Sequence, residues 1–457
     1  MPSSICKALD ELPTTLDETY ERVLEEIPRE KRQHAHRLFQ CLVTAIRPLR
    51  VEELAEILAI EFEGDAGANL MEGWRPENAE DAVFSACSTL IAVFEDKGSK
   101  IVHFSHFSVK EFLISDRLRT SEVGNIRYYH ILLKAAHAIL ARACIAVLLQ
   151  LDKMVDKERL RTLPLARYAA RYWIDHTKFG DMTSRIQDTI ELLFDPHKSY
   201  FPVWARFQTV DGVFFPDSTK AHPKHPRGTK TTALYYAVLC GFSGLAKHLI
   251  VARGEDVNAK CGSHGTPLHA ASYEGHLDTV RLLLDHGADA NTRGNKAWGT
   301  PLCSAYNRGH LEVMRLLLKH GANVDEYYGG RTLVSHDASF RGRTDVLELL
   351  LQHHMDIHSR NRWDWTPLHW ASHGGQPMVV QFLLEHGADI TAKSTFGSTP
   401  LYIASRDGHL EVVQILLRHG ANIHLRGHHR MTPYQVAKLE RNSEVAQLLL
   451  EYGAEKE

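Results

Sequence analysis

The stretch TPLHAA, Thr266–Ala271, is the fullest copy of a motif that returns through the second half of the chain. Shorter or altered copies begin at Thr232, Thr300, Thr366, Thr399 and Thr432. An alanine closes each unit, and consecutive alanines are 33 or 34 residues apart, at Ala237, Ala271, Ala305, Ala338, Ala371, Ala404 and Ala437. A period this constant indicates one structural unit stacked on copies of itself.

The parts of the unit are typical of a helical pair. Proline is tolerated in the first turn of a helix, where its missing N–H would lack a partner anyway. Glycine after the first helix, as at Gly275, Gly309 and Gly408, favours the left-handed conformation that ends a helix. The apolar segment Val280–Leu284 predicts the second helix. The length and the motif together identify ankyrin repeats, so we predict a mainly α fold with an α-solenoid of seven repeats over 229–457.

Three repeats depart from this pattern. In the fourth, Arg331–His336 lacks the proline and His353–Met355 replaces the glycine turn, so we expect the same fold with weaker local packing. The last repeat has Arg441 and Asn442 in place of glycine and histidine and ends in polar residues, as a terminal cap does. The first repeat is apolar throughout, and we expect it to stack on the domain before it.

The first half of the chain has a mostly helical pattern. A capping box at Thr15 predicts a helix to Ile27, and further helices are predicted over 30–46, 51–60 and 79–90. Apolar runs at 90–94 and 101–104 predict a hairpin, and a second capping box at Ser108 predicts a helix to Ser115. Together these elements predict a winged helix. The predicted domains are a helical arm at 1–28, a winged-helix domain at 29–120, a helical linker domain at 121–211, a linker at 212–228 and the ankyrin repeats at 229–457.

Three segments, Leu12–Pro28, Ala45–Ile60 and His103–Ser115, resemble the region that follows the NACHT NTPase domain in fungal NOD-like receptors. In that family a winged helix and a helical domain precede C-terminal ankyrin repeats, so the resemblance implies the sensor half of a signalling receptor. Arg50 departs from the family, which usually has threonine there. The chain has no G-x-x-x-x-G-K-[ST] loop, so we expect any NTPase domain to lie upstream of Met1 and this chain alone to bind no ATP or GTP.

His106 lies in HFSVKEFL, which is similar to the H-x-S-x-x-E-F motif of NACHT winged helices. The resemblance implies contact with the β-phosphate of ADP in the closed state of such a receptor. The alternative is a histidine packed between the wing and the next helix. Because the NTPase domain is missing, we expect the structural role.

Other functional classes receive little support from the sequence. The predicted helix 79–90 contains Glu80 and Asp81 and no basic residue, which disfavours the main alternative, an ankyrin-containing winged-helix regulator that binds DNA. His369 and His373 lack the glutamate of H-E-x-x-H, and no motif of a catalytic serine or cysteine is present. We therefore expect no enzyme activity, cofactor or metal. An accessory protein of a metabolic pathway stays open as a third class.

Location and charge are also constrained by composition. Seven scattered cysteines without a C-x-x-C pair indicate a reducing compartment. We expect a cytoplasmic or nuclear protein, because neither a signal peptide nor an apolar run of membrane-spanning length is present. The net charge of −3 favours neither nucleic acid nor an anionic membrane.

The predicted binding surface lies on the projecting hairpin fingers and the inner helices of the repeats. Tryptophan, tyrosine and arginine dominate interface hot spots, and we expect a protein partner to contact Tyr273, Trp298, Arg308, Tyr327, Tyr328, Arg331, Phe340, Arg341, Arg362, Trp363, Trp365, Phe396 and Arg406. Four of these predict one continuous aromatic strip, flanked by Arg331 and Arg362: Trp298, Tyr327, Tyr328 and Trp363. The alternative is that these rings, Trp365 above all, pack between neighbouring fingers.

Overall fold

The computed structural model divides into two compact units, Met1–His225 and Pro226–Glu457. The residues that it describes are 15–62, 68–70, 78–85, 87–96, 98–151, 162–179, 187–195, 198, 200, 204, 208–209, 212–213, 232–262, 264–294, 299–328 and 332–455.

The first unit is built from helices and short strands. Its described helices are α1 Leu16–Glu25, α2 Arg32–Thr44, α3 Val51–Leu58, α4 Ala79–Phe84, α5 Phe107–Leu113, α6 Asp116–Thr120, α7 Gly124–Arg127, α8 Leu133–Leu148, α9 Ala166–Thr177 and α10 Gln187–Leu193. Its described strands are β1 Leu49–Arg50, β2 Ile60–Glu61, β3 Asn69–Leu70, β4 Ile91–Asp96, β5 Ser99–Phe104, β6 Gln208–Thr209 and β7 Gly212–Val213. The core surrounds α8, which packs against α2 and α9. β7 lies at the start of the predicted linker and pairs with β6.

A three-stranded antiparallel sheet forms the wing, in the order β1-β5-β4. Leu49 of β1 and Val93 of β4 are both opposite Val102 of β5. The predicted winged helix is therefore confirmed, but the predicted helix 79–90 is wrong at its C-terminal end, since α4 ends at Phe84. The carbonyl of Leu90 accepts a hydrogen bond from the Ser105 amide at 2.9 Å, so this part of the chain joins the sheet.

α3 starts at Val51 as predicted, whereas the start of α5 differs from the prediction. Glu53 caps α3 by accepting a hydrogen bond from the Arg50 amide at 2.9 Å, so the helix starts at Val51 although Arg50 replaces the usual threonine. The predicted capping box at Ser108 is wrong, because the cap of α5 is His106, two residues earlier. The imidazole of His106 can cap the helix because its Nδ1 accepts a hydrogen bond from the Ser108 amide at 3.3 Å.

The second unit contains seven helical pairs, as the period predicts. Their inner and outer helices are α11 Ala233–Leu239 and α12 Ser243–Val251, α13 Pro267–Glu274 and α14 Leu277–Asp285, α15 Pro301–Arg308 and α16 Leu311–Lys319, α17 Val334–Phe340 and α18 Thr344–Gln352, α19 Pro367–His373 and α20 Pro377–Glu385, α21 Pro400–Asp407 and α22 Leu410–Arg418, and α23 Pro433–Leu439 and α24 Ser443–Glu451. We number each finger after the repeat whose inner helix follows it. The fourth finger, which precedes α17, also contains two paired strands, β8 Tyr327–Tyr328 and β9 Thr332–Leu333.

The irregular repeats keep the fold. Gly275, Gly309 and Gly408 end their helices with φ near 80°. Where glycine is missing, His354 (φ 65°) and Arg441 (φ 64°) adopt the same left-handed conformation. The expected ankyrin fold of the fourth and last repeats is therefore present, although a side chain in this region of φ is disfavoured relative to glycine.

At five junctions, those of the second, third, fifth, sixth and seventh repeats, a polar side chain joins the repeat to the one before it through a main-chain carbonyl. The imidazoles of His276, His310 and His409 hydrogen-bond to the carbonyls of Leu239, Tyr273 and His373 at 3.0–3.3 Å, and the amides of Gln376 and Asn442 donate to Phe340 and Arg406 at 3.1 and 2.7 Å. Each packs where a glycine leaves room, at Gly241, Gly275, Gly375, Gly342 and Gly408. We call these side chains the inter-repeat rungs.

In the part of the chain that the structure describes, no helix has both the length and the apolar composition needed to cross a membrane.

Candidate functional site

The finger of the fifth repeat is shaped by one buried asparagine. Asn361 is only 4% exposed, and its Oδ1 accepts hydrogen bonds from the amides of Trp363 and Trp365 at 2.9 and 3.0 Å. Between these rings, Asp364 has a φ of 57° and its amide donates to the Asn361 carbonyl at 2.9 Å. The turn is thus held from within, which fixes the positions of both tryptophans.

The sixth finger is hydrogen-bonded to the fifth. The Thr395 amide donates to the Trp363 carbonyl at 3.0 Å, and the Arg360 guanidinium donates to the Lys393 carbonyl at 3.2 Å. Next to Thr395, Phe396 projects with 59% of its surface exposed. Its ring lies 5.2 Å from that of His428 in the seventh finger, so three successive fingers meet around these aromatic residues.

Beneath the fingers lies the ring of Trp370, which belongs to α19. It lies 5.0 Å from Trp365 in an edge-on arrangement and 6.0 Å from Phe340 of the fourth repeat. Trp365 also packs against a buried cluster formed by Tyr402, Ile403 and Val436. These contacts of Trp365 are with inner helices of the fifth, sixth and seventh repeats, and its role in binding a partner stays a prediction.

These residues enclose a concavity of about 380 Å³, which we call the aromatic groove. It is lined by Trp363, Trp365, Trp370, His373, Ser394, Phe396, Ser398, Ile403, Arg406 and His428. Aromatic rings bury a large area and favour offset or edge-on ring contacts. The groove is therefore suited to a bulky apolar side chain of a ligand.

The charged groups at the base of the groove neutralise one another. Arg406 donates two hydrogen bonds to Asp407, at 2.8 and 3.0 Å, and His373 Nδ1 lies 2.7 Å from the same carboxylate. Burial raises the pKa of Asp407, but the hydrogen bonds from His373 and Arg406 outweigh it, so the pKa is below its ordinary value. Asp407 is therefore ionised at neutral pH and balances the charge of Arg406.

The rim of the groove is cationic. Exposed Arg362 and Lys393 are adjacent in sequence to the lining residues Trp363 and Ser394, and no carboxylate of the described residues forms an ion pair with either of them. The guanidinium of Arg362 lies 4.1 Å from the centre of the Trp363 ring. Asp364 is the exposed carboxylate on the same finger.

The other predicted binding residues have several different positions. Phe340 borders the groove through its contact with Trp370. Tyr273 and Arg308 contact each other on the second and third repeats, with the guanidinium 4.3 Å from the ring centre. Arg341 forms an ion pair with Asp337 at 2.6 Å.

Part of the predicted aromatic strip lies outside the described structure. Trp298 and Arg331 are outside the described residues, and only the backbone pairing of Tyr327 and Tyr328 is described. The continuous strip therefore stays a prediction.

Trp370 and His428 are among the lining residues that the sequence does not predict. Trp370 occupies the variable position of the TPLHxA motif, where most other copies have a smaller or aliphatic residue such as Ala270 or Ile403. An unusually large residue at that position was the available signal. His428 gave none, because its place in the groove depends on the conformation of the seventh finger.

The two histidines that were weighed as ligands have structural contacts. His369 is fully buried, hydrogen-bonds to Thr366 and to the Ser398 carbonyl at 2.9 and 3.1 Å, and its pKa is lowered by burial to about 4. His106 lies 2.6 Å from Ser108 Oγ, which in turn lies 2.7 Å from the Tyr20 hydroxyl. Among the described residues, no group of three metal-ligating side chains is found.

Comparisons with protein families match both halves of the chain. Residues 20–123 match the family described as "GPI inositol-deacylase, winged helix domain". Ankyrin-repeat families match residues 213–294 and 368–457, 335–384, and 299–327. The chain thus combines an N-terminal winged-helix domain with ankyrin repeats, a type of repeat that typically serves as a non-enzymatic protein-interaction module.

Individual relatives cover different parts of the chain. "Azaphilone pigments biosynthesis cluster protein L" of Monascus ruber is 32% identical over 297 residues, which are 62% of this chain and 61% of the relative. The ankyrin repeat domain of human ASB11 is 29% identical, with a TM-score of 0.43, and covers 49% of this chain and 99% of its own. That of Bcl-3 is 27% identical, with a TM-score of 0.45, and covers 49% and 100%.

Proposed function

We propose that the chain binds a protein partner through the concave face of its ankyrin repeats, with the aromatic groove as the main contact. The groove is the observation that carries this proposal, because three tryptophans and a phenylalanine meet there around an open space. A buried aromatic anchor of about 150–250 Å² contributes about 4–6 kcal/mol before the costs of association, at about 25 cal/mol per Å².

We further propose that this binding serves recognition in a signalling protein of the fungal NOD-like receptor type, in which an NTPase domain acts with the present chain. The order of the domains supports this, since the winged-helix match at 20–123 precedes the ankyrin repeats. The segment around His106 supports it as well, because this histidine lies at the junction of β5 and α5, where a neighbouring domain could reach an exposed side chain.

The relative from Monascus ruber favours a second candidate, an accessory protein of a biosynthetic gene cluster. Such a protein would use the same groove for a different partner. The DNA-binding alternative has less support, because α4 is six residues long and its Glu80 pairs with Lys100.

The proposal is tested with the full chain as bait in an extract of the organism that encodes it. Proteins retained by the unchanged chain are compared with those retained by the double variant Trp363→Ala, Phe396→Ala. Met378→Ala is the matched control, because this side chain is 75% exposed on the outer helix α20 of the fifth repeat. A partner held by the unchanged chain and the control but released by the double variant, and confirmed with purified proteins, supports the proposal. Equal retention by all three places the binding surface elsewhere.

A further inference from the structure

We infer that the occupant of the aromatic groove is an acidic peptide segment that inserts one bulky apolar side chain. The inference rests on the proposed function, and it specifies the chemistry of the partner at this site. Three features of the described residues carry it: the size of the groove, the fixed geometry of its fingers and the charge of its rim.

The volume of the groove is large enough for one or two side chains of a ligand and too small for a longer segment. A volume of about 380 Å³ is near the lower end of the roughly 300–1,000 Å³ of ligand pockets. One large aromatic or aliphatic side chain with a neighbour would occupy such a space. The rest of a peptide would then lie across the exposed fingertips.

Hydrogen bonds hold the three fingers in place around the groove. A backbone hydrogen bond from the Thr395 amide to the Trp363 carbonyl joins the sixth finger to the fifth, and the Ser398 hydroxyl accepts a hydrogen bond from the His428 amide of the seventh at 3.3 Å. Binding to walls that are already positioned avoids much of the entropy cost of ordering them. The groove therefore requires little rearrangement to receive an anchor.

The charge of the rim indicates which residues of the peptide should flank the inserted apolar side chain, the anchor. Arg362 and Lys393 are exposed without a carboxylate partner among the described residues, and Asp407 is already paired with Arg406. Acidic residues beside the anchor would reach these cations. Charge complementarity of this kind speeds association and fixes the choice of partner.

Other occupants fit these features less well. A quaternary ammonium ligand prefers aromatic faces free of competing cations, whereas Arg362 already lies over Trp363 and Arg406 lines the groove. Single-stranded nucleic acid requires a cationic groove that follows its backbone over several nucleotides. A single concavity across three fingers offers stacking for few bases, so we favour the peptide.

The experiment selects short random peptides, displayed on phage, on the immobilised full chain. Peptides that also bind the Trp363→Ala, Phe396→Ala variant are removed, so that only groove-dependent sequences remain. The recovered peptides are synthesised and their affinities are measured for the unchanged chain, for a rim variant with Arg362→Glu and Lys393→Glu, and for Arg418→Glu. Arg418 is the matched control because it is exposed on the outer helix α22.

The expected consensus has acidic residues around one aromatic or large aliphatic residue. The rim variant should weaken binding about tenfold or more while the control does not, and an ionic strength near 1 M, where the Debye length is about 3 Å, should weaken it as well. Replacing the anchor with alanine should weaken binding about thirtyfold, as for an interface hot spot.

Three results would overturn the inference. Groove-dependent peptides that are neutral or basic would reject the acidic chemistry and leave the proposed function intact. Recovery of no groove-dependent peptide would reject a peptide anchor at this site, and the separate bait experiment would still decide whether the chain binds a protein. Groove-dependent binding of labelled oligodeoxythymidylate more tightly than about 1 µM at physiological salt, stronger than ordinary non-specific binding, would identify nucleic acid as the occupant.

Discussion

His369 and Trp370 are neighbours in the same helix and have opposite roles in the repeat. His369 is fully buried and joins the Thr366 cap to the next finger. Trp370 lines the aromatic groove. His369 belongs to the repeated signature, and His269 in the second repeat makes the equivalent contacts with Thr266 and the Gly299 carbonyl. Trp370 occupies a position whose residue changes from copy to copy. In this chain the repeated residues build the framework and the variable ones build the candidate site.

The largest effect is expected from acidification, which should lower the stability of the framework. Burial lowers the pKa values of His269, His336 and His369 to about 4. Between about pH 6.5 and pH 4 the unfolded chain therefore binds more protons, and the folded state loses stability as the pH falls. At about 1.4 kcal/mol per pKa unit, each histidine contributes up to about 3 kcal/mol over this window. Urea unfolding of the full chain, followed by circular dichroism at pH 7 and pH 4.5, measures the loss.

This pH window separates histidines from carboxylates. Asp407, whose pKa is lowered, stabilises the fold above its unfolded pKa near 4 and loses that effect only at lower pH. As a control, His369→Gln should flatten the pH dependence, whereas His386→Gln, at the exposed residue that follows the outer helix α20, should leave it unchanged. A free energy of unfolding that is equal at pH 7 and pH 4.5 would contradict the structural role of the buried histidines.

A smaller effect is expected from His369→Ala, measured at pH 7. The substitution removes hydrogen bonds to Thr366 and to the Ser398 carbonyl and leaves a cavity between two repeats, so we expect a loss of about 3 kcal/mol. Thermal and urea unfolding measure it, with His386→Ala as the exposed control. A loss no greater than that of the control would mean that the repeated histidine does not hold the framework.

The smallest effect on stability should come from the groove itself. Phe396 is 59% exposed, so we expect Phe396→Ala to change the free energy of unfolding by less than about 0.5 kcal/mol while it weakens binding of a partner or selected peptide. Urea unfolding and isothermal titration calorimetry measure the two quantities separately. A stability loss comparable to that of His369→Ala would show that this ring packs the fingers and would remove the contrast between framework and site.

The same contrast explains how much could be predicted from the sequence. The seven helical pairs follow from the spacing of the alanines and from Pro-Leu after the threonine in four of the repeats, which are local signals repeated along the chain. The aromatic groove depends on three fingers whose turns differ, and its shape is determined by features such as the buried Asn361 and the left-handed Asp364. Sequence identified Trp363, Trp365, Phe396 and Arg406 as contact candidates but could not show which of the thirteen predicted residues lie together.

The first unit shows a similar limit at its helix ends. The winged helix was predicted from the order of its elements, whereas the cap of α5 was placed at Ser108 and is His106. A serine followed three residues later by glutamate satisfies the capping-box pattern, but the histidine two residues earlier can accept the same kind of hydrogen bond. β1 was not predicted, because a strand of two residues has no periodic pattern and exists only through its pairing with β5.

The inter-repeat rungs have a consequence for how such a gene can change. Each rung reaches a main-chain carbonyl near a glycine. The carbonyl and the glycine are the same kind of group whichever repeat supplies them. Histidine, glutamine and asparagine all make the connection in this chain. Unequal crossing-over that duplicates, deletes or exchanges units with such a rung would therefore preserve these junctions while it brings new residues to the groove. The surface that meets the partner can diversify by recombination without a new interface having to evolve between the repeats.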